Sequence, residues 1–91
     1  MPLAPDTGYM PFCPALVVEV VWPDDRWTEI RSKVRGWLKH GSRLVWVADP
    51  ADSTVEVHEL GKPVRELGAG DRIDAGTVLP GFRAKIADLF L

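Results

Sequence analysis

Leu16-Val17-Val18-Glu19-Val20-Val21 sets a single carboxylate inside an unbroken apolar run. A run this rich in β-branched residues, with no polar alternation, reads as a strand covered on both faces. Burying an unpaired carboxylate is costly, so Glu19 is expected to be protonated, paired with a cation or ligating a metal. The other reading is an edge position where the carboxylate reaches water. The strand is expected to run from Leu16 to Trp22 and to stop at Pro23. Alternation puts Leu16, Val18, Val20 and Trp22 on one face and Val17, Glu19 and Val21 on the other.

Downstream, Asp24 and Asp25 are candidates to cap a helix, where acceptors satisfy free backbone N–H groups. The helix is expected from Asp25 to His40, because Trp27, Ile30, Val34, Trp37 and Leu38 recur in steps of three and four. Gly41 is a natural stop, with Lys39 and His40 at the negative end of the dipole. Arg43–Val47 follows as an apolar strand, closed by Asp49-Pro50. Thr54–Leu60 alternates Val55 and Val57 against Glu56 and His58 and reads as a half-exposed strand. Val64–Leu67 is a weaker strand, and Gly68, Gly70 and Gly76 mark an irregular loop. Ala84–Phe90 is expected to be a short closing helix.

This order predicts an α/β unit: a mixed sheet with one main packed helix. The strands at Leu16 and Leu44 should lie parallel through a right-handed crossover. One substantial helix covers one face, so the other face is expected to have little cover.

Upstream, residues 1–15 hold four of the eight prolines and read as an extended lead-in. Residues 16–91 are then one domain, and 91 residues lie near the lower limit of what folds alone. No apolar run approaches the roughly 20 residues of a bilayer helix. The first residues lack the basic start and apolar core of a secretory signal. The one cysteine, Cys13, excludes an internal disulfide and suits a reducing cytoplasm. A formal charge of -2 argues against a bulk electrostatic grip on nucleic acid, though a local basic patch is compatible with it.

On a helical wheel Lys33 lies roughly 90° from the centre of the apolar stripe, beside Ile30 and Trp37. A long ammonium there can reach over the seam to the sheet. Glu19 and Lys33 thus form a candidate catalytic pair. In a metal-dependent hydrolase, carboxylates hold Mg²⁺ while a lysine stabilises charge developing on a phosphoryl group. The competing reading of Lys33 is a solvated charge on a helix edge.

The residues around this pair carry a resemblance. Gly8-Tyr9, Pro14-Ala15-Leu16-Val17-Val18-Glu19-Val20, Lys33-Val34, Trp37, Gly41, Val45-Trp46-Val47 with Asp49-Pro50, Leu79-Pro80-Gly81-Phe82 and Leu89-Phe90 occur in order across residues 8 to 91. Together they resemble the Uma-two restriction-endonuclease family of the PD-(D/E)xK nuclease superfamily. The resemblance implies a restriction-endonuclease-like core that binds Mg²⁺ and cuts DNA. It implies Glu19 as metal ligand and catalytic acid, and Lys33 as the catalytic lysine displaced onto the helix.

Two departures accompany it. Ala15 stands where the family has Asp, and Trp22 replaces a small residue after the strand. A methyl group offers nothing to a cation that wants six oxygens, so metal binding should weaken severely. Asp6, Asp24 or Asp25 are the candidate substitutes. Chains of the family are also about twice as long, so this one resembles the C-terminal half of the fold.

Other residues have plainer readings. Arg31, Arg35 and Lys39 form a basic stripe, suited to phosphate contact or to a solvated face near Glu29. His40 and His58 lack metal-ligand spacing, Cys13 lacks a catalytic partner, and the four Trp suit core packing. Three functions follow: a Mg²⁺-dependent DNA endonuclease, a catalytically dead DNA- or protein-binding remnant, or a structural fragment that forms a homodimer through its uncovered sheet face. An N-terminal half supplied by another chain would serve the first. For the polypeptide alone, inactivity is the favoured expectation.

Overall fold

The computed structural model describes residues 13–91. Most of the proline-rich lead-in, with Asp6, Gly8 and Tyr9, lies outside the described residues. The elements run β1 (Leu16–Val20), α1 (Trp27–Lys39), β2 (Leu44–Asp49), β3 (Thr54–His58), β4 (Arg65–Leu67), β5 (Arg72–Ala75) and β6 (Leu79–Lys85). A 3-10 turn at Ile86–Phe90 closes the chain. The main sheet has the order β1-β2-β3-β4, and β5 and β6 form a separate hairpin. β1 and β2 are parallel, with Val17 beside Val45 and Glu19 beside Val47. β3 and β4 add on antiparallel. The expected mixed α/β sheet with one packed helix is present.

The helix starts two residues later than its sequence suggests. Asp25 turns its carboxylate back to accept the Trp22 N–H at 2.9 Å, which closes the turn after β1. The N-cap is Arg26, without a side-chain hydrogen bond. The other end stops at Gly41, as expected. Gly41 N–H donates to the Leu38 carbonyl at 3.2 Å and Ser42 N–H to the Trp37 carbonyl at 3.0 Å. This double bond pattern needs a left-handed residue at Gly41, whose φ is 116°.

The core has two halves, one on each face of the sheet. On the helix side, Val17, Val45 and Val47 pack under Ile30, Val34 and Trp37. On the other side, Leu44, Trp46, Val55 and Val57 pack against Ile73, Ala75 and Ile86. That second layer corrects two expectations. The glycine-marked loop contains the hairpin β5–β6, with Gly76 in its turn at φ 54° and an irregular register at Asp74/Ala75. The closing helix is the shorter 3-10 turn, since Ala84 and Lys85 belong to β6.

The face opposite α1 is therefore covered over β2 and β3, and left open over β1. Val18 and Val20 remain 51% and 42% exposed. Only Val17 of β1 is buried. Among the described residues, the strand read as covered on both faces is an edge strand.

Candidate active-site face

Glu19 projects to the helix side of β1 and is half-buried. Trp37, 4% exposed, donates its indole N–H to Glu19 Oε2 at 2.9 Å. The contact follows from helix geometry, because side chains lean toward the helix N-terminus. In a right-handed crossover that direction runs along β1 toward its C-terminal end, where Glu19 stands. Among the described residues the hydrogen-bond partner of Glu19 is thus a neutral donor. A hydrogen bond to a charged acceptor is stronger than one between neutral groups, so this contact fixes the carboxylate's position.

Lys33 is solvent-exposed and precedes Trp37 by one helical turn. Its flank of the helix can be assigned. Arg31, roughly 160° away around the axis, reaches Glu56 on β3 at 3.6 Å. The Arg31 flank therefore looks toward β3, and the Lys33 flank looks toward β1 and Glu19. Lys33 and Glu19 share a side of the molecule without an ion pair between them. Among the described residues the ion pairs are Arg31–Glu56, His58–Glu56 and Lys62–Glu59.

A polar cluster on the same face escaped the sequence reading. Glu56 bonds His58 Nε2 at 2.9 Å through Oε1 and faces Arg31 through Oε2. The Arg31 guanidinium also lies 5.3 Å from the centroid of the Trp27 ring. His58 is buried at 7% exposure. Arg31 is consequently not a free phosphate contact, and β3 is not half-exposed at His58. The signal was available: Glu56 and His58 share a face by alternation, beside Val47 and Val45 of β2.

The described residues do not fit an octahedral Mg²⁺ site. No group of three or more His, Cys, Asp or Glu among them could hold a metal ion. Glu19 has one oxygen occupied by the indole. Asp25 is engaged with the Trp22 backbone, and Asp49 accepts the Ala51 N–H at 3.1 Å. Ala15, expected to mark the lost ligand, sits before β1 and four residues from Glu19. At about 3.3 Å per extended residue that is about 13 Å along the strand. Two carboxylates so spaced cannot share one cation comfortably.

Residues 3–87 match the family profile named Uma2, described as "putative restriction endonuclease". The chain belongs to the Uma2 family. Its fold is similar to a solved structure from Anabaena variabilis, described as a "putative nuclease belonging to DUF820", with a TM-score of 0.81 and 23% identity. The likeness covers 89% of this chain and 46% of that one. At this identity it establishes a shared fold alone, and this Uma2 chain spans about half the length of its structural neighbour. Among curated proteins, none matches. No helix among the described residues is long and apolar enough to cross a membrane.

Proposed function

We propose that this chain contributes the glutamate-bearing part of a Mg²⁺-dependent, restriction-endonuclease-like DNA nuclease, and that alone it does not hydrolyse phosphodiester bonds. The carrying observation is the carboxylate itself: Glu19 is positioned by Trp37, and no group of three or more His, Cys, Asp or Glu among the described residues could hold a metal ion. Mg²⁺ surrenders its waters reluctantly and is held through carboxylates plus substrate phosphates. A single glutamate with one oxygen occupied is a poor anchor for it. Glu19 and Lys33 are the residues this chain offers to a completed site, Glu19 as acid and Lys33 as the ammonium beside it. The second acid then comes from another polypeptide segment.

DNA is the partner that the family membership supports. The compartment is the cytoplasm, where a lone thiol such as Cys13, with Sγ 3.1 Å from Ser42 Oγ, stays reduced.

Incubation of the purified chain with supercoiled plasmid and Mg²⁺ or Mn²⁺ tests this reading. Intact plasmid is expected for the wild type, for Glu19→Ala and for Ala15→Asp, the last because of the spacing along the strand. Cleavage by the wild type that disappears in Glu19→Ala overturns it. Cleavage gained in Ala15→Asp would overturn the placement of the missing acid outside β1.

A further inference from the structure

We propose that two copies of this chain pair through the outer edge of β1, which no other described strand pairs, antiparallel and centred on Val18, to form one continuous sheet. The proposal stands independently of the nuclease reading.

The direction of the backbone groups carries it. The Ala15 carbonyl accepts the N–H groups of Arg43 and Leu44 at 2.9 and 3.0 Å, and Val21 N–H donates to the Ala48 carbonyl at 2.8 Å. These odd-numbered residues aim their polar groups at β2. Alternation along an extended strand turns those of Leu16, Val18 and Val20 outward. Edges of this kind are normally guarded by charge, proline or a bulge. β4, at the opposite edge, is three residues long and carries Arg65 and Glu66. β1 is longer and apolar, and its one charged side chain is held by Trp37 beneath the helix.

The partner that fits is a second copy, because the strand is complementary to itself in one register. With Val18 facing its twin, Leu16 faces Val20 of the other copy, and all three outward residues exchange N–H···O=C bonds. Val17 then faces Glu19, so the two carboxylates lie on a diagonal and not opposite each other. Centring on Glu19 would place like charges face to face, which destabilises a pair. Centring on Val17 would bring Pro14, which has no N–H, against Val20. The two-fold axis closes the assembly as a dimer and leaves the charged β4 edges outermost. On the open face, the exposed Val18 and Val20 continue into a groove of about 290 Å³ with Trp46, Leu89 and Phe90. Leu16 of the partner would extend that apolar strip.

Light scattering on the size-fractionated chain is expected to give twice the chain mass. Val18→Pro removes an outward N–H without touching the ladder to β2, and should give the single-chain mass. Oxidation should cross-link a Cys13→Ser, Val18→Cys variant as a dimer, since its thiols meet on the axis. A Cys13→Ser, Val20→Cys variant should stay uncross-linked, because Val20 faces Leu16. A monomer at every concentration overturns the proposal, whether residues 1–12 or solvent take the edge. So does faster cross-linking at position 20 than at position 18, or a dimer that survives Val18→Pro.

Discussion

Two buried tryptophans face opposite sides of one sheet. Trp37, under the helix layer, gives its indole proton to Glu19 at 2.9 Å. Trp46, under the hairpin layer, packs 5.8 Å from the Phe82 ring, and its buried N–H has no hydrogen-bond partner among the described residues. The helix side also gathers Glu56, His58 and Arg31, with their polar atoms paired. The other side is built from Leu44, Val55, Val57, Ile73 and Ile86. One face orients polar groups, and the other only excludes water. A candidate site belongs on the first, because chemistry needs a carboxylate whose position is set by partners.

The largest test of this contrast is Trp37→Ala, which removes a core ring and the donor together. It should cost about 3–5 kcal/mol in urea unfolding at fixed protein concentration. Ile86→Ala, at a fully buried position of the opposite layer, should cost about 2–5 kcal/mol by packing alone. Trp37→Phe keeps most of the ring and deletes the proton. It should cost about 1–2 kcal/mol, since Glu19 is half-buried and regains water in exchange. The matching change on the other face, Trp46→Phe, should cost less than about 1 kcal/mol or stabilise, because an unsatisfied buried donor is a liability of about 1–3 kcal/mol. Equal losses for the two Trp→Phe variants would erase the distinction between the faces.

Much of the helix layer was legible because its signals are local. Steps of three and four residues marked Ile30, Val34 and Trp37, and Gly41 marked the end. The parallel β1–β2 pairing followed from the crossover rule. The hairpin layer was not legible. Within β5 only Ile73 and Ala75 are buried, too short a pattern to stand out among glycines. Apolar character misled at β1, where both an edge and a covered strand read as Leu-Val-Val-Glu-Val. The wheel position of Lys33 left open which strand its flank faces, and the Arg31–Glu56 pair supplies that flank assignment. The partner of Glu19 was hidden because Trp37 read as core, and a ring can be buried carbon at one end and a donor at the other. Ala15 drew attention by resemblance alone, and four extended residues set it about 13 Å along the strand from Glu19.

The most direct measurement is a Mn²⁺ titration of the wild-type chain followed by electron paramagnetic resonance, beside Glu19→Gln. A lone carboxylate held by an indole predicts no stoichiometric binding below the millimolar range and no difference between the two proteins. Tight one-to-one binding that vanishes in Glu19→Gln would contradict it, and would mean that this chain assembles a complete metal site by itself.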